Sequence, residues 1–236
     1  MAEPLTAPDT EDTGVGSART RVKICGLTRE QDVDAAVAAG ADAIGFVRYP
    51  PSPRYVTAER AAELAALLPP FVTPVLLFVN APAEEVRADA ALVPGATLQF
   101  HGDETPQDCW RAADDGARPF IMAARIPLDP AADRPDLSRF AADYRAARAV
   151  LLDAQVAGYG GGGRSFDWSV LPPRIDAHVV LSGGLTIGTV GEGIAALRPR
   201  CRTLGVDVSS GVESAKGIKD HAKIAEFIAA VRAADR

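Results

Sequence analysis

The sequence predicts a single (β/α)8 barrel of the α/β class, and three observations carry that reading. Short, nearly continuous apolar runs alternate with helical patterns eight times from Arg21 onward; strands of that kind belong to parallel sheets covered by helices. The chain has 236 residues, inside the range of roughly 200–250 that barrels occupy as one domain. An open doubly wound sheet would carry the dinucleotide fingerprint GxGxxG after its first strand. Here CGLTRE stands in that place.

The elements follow in order. The first strand is RVKIC, residues 21–25. Thr28, three residues before Gln31, has capping-box spacing. The helix it opens ends at Gly40, which suits the left-handed position after a helix. AIGFV, 43–47, is the second strand, followed by a loop containing SPRYV and a helix over 57–68. The third pair covers 74–80 and 82–92, and the fourth 97–101 and the segment after Thr105. The fifth strand, 119–124, runs through a Pro- and Asp-rich connection to a helix over 137–147. The sixth, 150–154, enters a glycine-rich loop and a short helix over 167–171. The seventh, 178–184, leads to a helix over 186–197, and the eighth, 204–211, to the closing helix over 220–234.

Residues 1–20 are rich in Pro, Thr, Ala, Gly and acids and have no apolar run. They read as a disordered extension ahead of a domain over 21–236, without the charged start and apolar core of a secretory signal.

Composition narrows the function. With 47% hydrophobic and 24% charged residues, the chain is too apolar for disorder. It has no stretch of roughly 18 apolar residues to span a membrane. Acidic residues outnumber basic ones by 31 to 25, a formal charge of −6, which argues against a nucleic acid partner. Cys25, Cys109 and Cys201 are odd in number and far apart. That is neither a disulfide framework nor a metal knuckle, so a reducing, cytoplasmic setting is expected. Oligomeric state is left open between monomer and homodimer.

In a barrel the active site lies at the C-terminal ends of the strands, and period-2 alternation selects the residues that share a face. Lys23 and Cys25 share a face of the first strand, Gln99 and His101 of the fourth, and Gly205, Asp207 and Ser209 of the eighth; Asp153 stands at the tip of the sixth. A thiol, an imidazole and two carboxylates at one mouth suit acid/base chemistry. Cys25, His101, Asp153 and Asp207 are able to ligate zinc, but no paired ligand spacing supports a metal. After the seventh and eighth strands come SGG and SSG. There the backbone N–H groups of Gly183 and Gly184, with those around Ser210 and Gly211, would cradle a phosphate. The segment 155–168, with five glycines, reads as a lid over the substrate. Arg54 offers a fork for a carboxylate at the same rim.

In this order, KICGLT, GADAIGFV, SPRYV, LQFHGDE, LLDA with GGGGRSFDW, LSGGLT and GVDVSSGVE resemble the phosphoribosylanthranilate isomerase family of tryptophan biosynthesis. The resemblance runs from about Val22 to the last helix. It implies an Amadori rearrangement of an aminoaldose to an aminoketose, on a phosphorylated small molecule and without a cofactor. On the matching positions, Cys25 would be the general base and Asp153 the general acid. Arg54 would hold the anthranilate carboxylate, the SGG and SSG loops the phosphate, and His101 and Asp207 would line the pocket. A thiolate base needs nearby positive charge; Lys23 is placed to supply it or, equally, to pair with Asp207. Departures from the family pattern are Phe100 before His101 and Arg164 in the lid; neither touches the catalytic pair. A sister isomerase of histidine biosynthesis would carry Asp at the ends of strands one and five, where this chain has Cys25 and PFIMAAR. A barrel that only bound a phosphorylated ligand would have no need of the thiol.

Overall fold

A computed structural model of the protein describes residues 19–129, 132–155 and 165–236. Eight parallel strands close into a barrel in sequence order: β1 (Arg21–Cys25), β2 (Ala43–Val47), β3 (Thr73–Phe78), β4 (Thr97–Phe100), β5 (Phe120–Pro127), β6 (Ala149–Gln155), β7 (Ile175–Leu181) and β8 (Cys201–Val208). Closure is made where Lys23 of β1 stands in register with Asp207 of β8. The helices α1 (Glu30–Ala39), α2 (Ala58–Ala65), α3 (Ala83–Leu92), α4 (Pro106–Ala112), α5 (Leu137–Asp143), α6 (Val190–Leu197) and α7 (His221–Ala234) cover it. Among its described residues the sixth unit has a 3-10 turn, Trp168–Val170, in place of an α-helix. Among the described residues no helix is long and apolar enough to cross a membrane.

The core lies between sheet and helices, with Ile24, Ile44, Phe46, Leu76, Phe78, Leu98, Phe100 and Leu152 buried under helix residues such as Val33, Leu64 and Val86. These strand residues alternate with the lumen-facing set, so the apolar half of each strand anchors the barrel and the other half is free for chemistry. Phe100 settles edge-on against Phe120, with ring centroids 5.7 Å apart.

Local signals placed several boundaries. Gly40 takes φ 94° and its N–H caps the α1 carbonyls of Ala36 and Val37. Thr57 accepts from the N–H of Arg60, and Thr105 and Asp108 cap each other reciprocally at α4. Thr28 does not cap α1. That helix starts after Arg29 with no side-chain cap, because the Thr28 hydroxyl donates instead to the carbonyl of Gly217 at 3.0 Å.

The last two strands sit three residues earlier than their apolar patterns suggest. Polar Asp176, Arg202 and Thr203 at their starts are exposed where the strands overhang the barrel floor, which hides them from a hydrophobicity reading. At the far ends, Gly183 and Gly184 have φ 78° and 70° and cannot continue a strand. Both glycine motifs therefore lie in loops beyond the sheet. A small hairpin, β9 (Glu213–Ala215) and β10 (Ile218–Lys219), follows β8 and was not foreseen. Thr20, expected in the extension, is buried, its N–H and hydroxyl bound to the Asp235 carboxylate at 2.9 and 2.7 Å. Residues 1–18, and with them most of the expected extension, lie outside the described residues.

Candidate active site

The C-terminal mouth holds three buried polar networks. The first joins β1 and β8. Lys23 Nζ donates to Asp207 Oδ1 at 2.8 Å, with both side chains 6% exposed, and the hydroxyl of Ser182 donates to Asp207 Oδ2 at 3.2 Å. Cys25, the last residue of β1, is buried beside this pair. Room for the thiol comes from Gly45 of β2: a Cβ there would lie 2.8 Å from Cys25 Sγ and 3.0 Å from Lys23 Nζ. Burial pushes the Cys25 thiol up from its ordinary range, and the Lys23 ammonium pulls it back in part, with a smaller pull from Lys219. Burial also works against the charge on Lys23, but the Asp207 carboxylate outweighs it and holds the ammonium above the ordinary lysine range. Lys23 thus does both things open to it: it pairs with Asp207 and it faces the thiol.

The second network joins β4 and β6. His101 Nε2 lies 2.9 Å from Asp153 Oδ2, and His101 Nδ1 lies 3.0 Å from Gln99 Nε2. With the Gln99 amide nitrogen as donor to Nδ1, the imidazole proton sits on Nε2 and points at Asp153. Gln99 Oε1 is buried without a partner among the described residues.

The third network was missed by the sequence reading except for Arg54. Arg54 Nε and Nη2 form a two-pronged pair with Glu213, each at 2.7 Å. Lys219, its ammonium fully buried, donates to Glu213 Oε1 at 2.9 Å and to the carbonyl of Ser209 at 3.0 Å. Burial raises the Glu213 carboxyl, but Arg54 and Lys219 outweigh it and hold it below its ordinary range. Burial lowers the Lys219 ammonium, with Glu213 opposing. Glu213 and Lys219 belong to the β9–β10 hairpin. The Lys216-Gly217 pair between them was the available turn signal.

The two glycine loops meet. A Cβ on Gly211 would lie 2.1 Å from the carbonyl oxygen of Leu185, and one on Gly183 would lie 2.4 Å from the N of Ala154 and 3.0 Å from Asp153 Oδ1. Loop seven is therefore pressed on loop eight on one side and on the tip of β6 on the other. Among the described residues, the N–H groups of Gly183, Gly184, Ser210 and Gly211 donate to no backbone acceptor. The helix expected to start near Thr186 starts at Val190. The loop amides themselves, rather than a helix terminus, are thus the donors on offer. After β8 the turn Ser210–Val212 is a single 3-10 turn. The expected lid falls largely on 156–164, which with Arg164 lies outside the described residues.

Sequence-predicted residues Cys25, His101, Asp153 and Asp207 are all buried at strand ends. Among the described residues no group of three or more His, Cys, Asp or Glu side chains is placed to hold a metal ion. A closed eight-stranded barrel with its titratable groups and glycine loops gathered on the C-terminal face is the layout of a barrel enzyme.

Comparison with known proteins gives the particular family. The family model described as N-(5'phosphoribosyl)anthranilate (PRA) isomerase matches residues 22–230, and the chain belongs to that family. It is 57% identical to the N-(5'-phosphoribosyl)anthranilate isomerase of Dechloromonas aromatica, over 92% of this chain and 98% of that one. Among solved structures it is similar to the phosphoribosyl anthranilate isomerase of Thermotoga maritima, at 40% identity and TM-score 0.78, covering 91% and 99% of the two chains. A second isomerase structure, solved in complex with reduced 1-(o-carboxyphenylamino)-1-deoxyribulose 5-phosphate, is similar at 38% identity and TM-score 0.76, again covering 91% and 99%.

Proposed function

We propose that the protein converts N-(5-phosphoribosyl)anthranilate to 1-(2-carboxyphenylamino)-1-deoxyribulose 5-phosphate in tryptophan biosynthesis, with Cys25 as base and Asp153 as acid. The observation that carries the assignment of roles is the separation of the two buried networks. One sets a thiol beside an ammonium, and the other sets a carboxyl beside an imidazole. Family membership and the product analogue held by a structural relative support the substrate.

The chemistry runs through two proton transfers with Asp153 and Cys25, followed by tautomerisation. The substrate nitrogen pushes its lone pair toward C1, the bond from C1 to the ring oxygen breaks, and Asp153 delivers a proton to that oxygen. The resulting Schiff base acidifies C2. The Cys25 thiolate removes the C2 proton, the electron pair flows to nitrogen, and an enolamine forms. Protonation at C1 with loss of the C2 hydroxyl proton gives the ketone. The substrate nitrogen is the electron sink, so the reading needs no cofactor.

Positioning falls to the remaining residues. The amides of Gly183, Gly184, Ser210 and Gly211 would receive the phosphate, beside the carboxyl of Asp153. Two prongs of Arg54 are taken by Glu213, so its outer N–H groups would meet the anthranilate carboxylate. His101 would orient Asp153, and Asp207 would hold Lys23 against the thiol. A cytoplasmic location accords with the free thiols of Cys25, Cys109 and Cys201.

The test is direct. Purified protein given phosphoribosylanthranilate should quench the fluorescence of that compound at a rate proportional to enzyme. No loss of fluorescence above the uncatalysed rate would contradict the reading.

A further inference from the structure

The far side of the same strands carries a second basic hollow. A cavity of about 560 Å3 lies among the C-terminal end of α5, the segment after it, and the N-terminal ends of β6, β7 and β8. Its lining includes Arg145, Arg148, Arg174 and Arg202, with His178 and Asp176. The mouth residues Asp153 and Asp207 stand near the opposite, C-terminal ends of β6 and β8, so this cavity is a separate place. Four guanidinium groups against one carboxylate is a local excess of positive charge on a chain whose formal charge is −6.

The pairing of these groups is uneven. Arg202 Nε holds Asp176 at 2.9 Å, and His178 Nδ1 is spent on the hydroxyl of Thr203 at 2.8 Å. Among the described residues, Arg145, Arg148 and Arg174 are exposed and make no ion pair or side-chain hydrogen bond, although Arg174, after Arg202, helps hold the Asp176 carboxyl low. Arginine has five donors and no acceptor, so neighbouring guanidinium groups cannot satisfy one another and repel. Arg145 and Arg148 follow the C-terminus of α5, where a cation offsets exposed carbonyls. That accounts for their presence on the chain but not for Arg174, just before β7, or Arg202, near the start of β8. Between them the lining is mostly alanine, including Ala147, Ala149 and Ala177, with Tyr144 at one side. Small side chains leave the hollow open, and its volume lies within the range of roughly 300–1,000 Å3 typical of small-molecule sites.

We infer that this cavity binds a small phosphorylated polyanion, held by the planar forks of Arg145, Arg148 and Arg174. Forked guanidinium groups match phosphate oxygens in pairs. A concave site of this size favours a metabolite over the surface of an acidic protein.

The probe is inorganic pyrophosphate, titrated calorimetrically into the full chain. Wild type should bind it, and Arg145→Ala/Arg148→Ala/Arg174→Ala should bind at this cavity at least about tenfold more weakly. If the catalytic loops also take pyrophosphate, the stoichiometry should fall from two to one. Turnover of phosphoribosylanthranilate by the variant should stay within about twofold of wild type, since these residues lie at the opposite end of the strands. Should the alanine variant fail to fold, the triple Arg→Lys variant decides the matter. It keeps the charge but loses the forks, and weaker binding is again expected. Identical isotherms for wild type and a folded variant, or no binding by wild type, would overturn the inference.

Discussion

The two sides of the catalytic mouth are built from different materials. On the side of β1 and β8, Cys25 sits among full charges: Lys23 against Asp207, and Lys219 and Arg54 against Glu213. On the side of β4 and β6, Asp153 leans on a hydrogen-bonded chain with no lysine or arginine in it, His101 backed by Gln99. The difference matches what each proposed role needs. A buried thiol becomes a base only where a positive field offsets the cost of burying its anion. A carboxyl acting as acid must take up and deliver a proton, and a tunable hydrogen bond serves that better than a fixed cation.

Breaking either side at its reactive atom should have the largest effect. Cys25→Ala and Asp153→Asn should each lower kcat by roughly 10²–10⁴-fold, with melting temperatures near that of wild type, read from the fluorescence assay and a thermal melt. Near-normal turnover in either would collapse the comparison.

The charged side should also be the brittle one. Glu213→Gln removes the negative charge from between two buried cations and turns one accepting oxygen into a donor facing them, and should cost about 3–5 kcal/mol of stability, measured by urea unfolding. The native Glu213 carboxyl is held low. Its contribution is therefore complete above the ordinary glutamate range, near about 4.3, and is lost as pH falls through the depressed native value. The wild-type advantage over the variant should shrink in acid for that reason.

A subtler change separates field from contact. Lys23→Gln keeps a hydrogen-bond donor for Asp207 but removes the ammonium that pulls the thiol down. The rising limb of kcat/KM with pH, which needs the thiolate, should move to higher pH. Turnover at neutral pH should then fall by about tenfold for each unit of that move. A pH profile that stays in place would separate Lys23 from the thiol.

The β4–β6 side should tolerate most away from Asp153. Gln99 already leaves one buried oxygen without a partner among the described residues. Gln99→Met should therefore cost only about 1 kcal/mol in the same urea measurement and leave turnover within a few-fold. A loss as large as that of Glu213→Gln would erase the contrast between the sides.

What the sequence made legible follows the same division. Cys25, His101 and Asp207 were placed by strand alternation, because period 2 decides the facing of a residue from its neighbours alone, and Asp153 by its place at the tip of strand six. The eight strands were found as short, nearly continuous apolar runs, and Gly40 and Thr57 marked helix ends by local chemistry. The pairing of Arg54 with Glu213 was not legible, since it joins residues 159 apart in sequence and leaves no local period. Thr28 misled because its hydroxyl was drawn to the carbonyl of Gly217, a contact that exists only after the β9–β10 hairpin has packed. The starts of β7 and β8 were hidden by polar residues where the strands overhang the floor.

The central claim is that Cys25 takes the C2 proton and Asp153 serves the earlier ring opening. Single-turnover rates with substrate carrying deuterium at ribose C2 test it most directly. In Cys25→Ser a weaker base should make C2–H cleavage limiting, so a primary isotope effect should appear. In Asp153→Asn ring opening should limit, and deuterium should leave the rate unchanged. The reverse pattern, or equal isotope effects in both variants, would contradict the assignment.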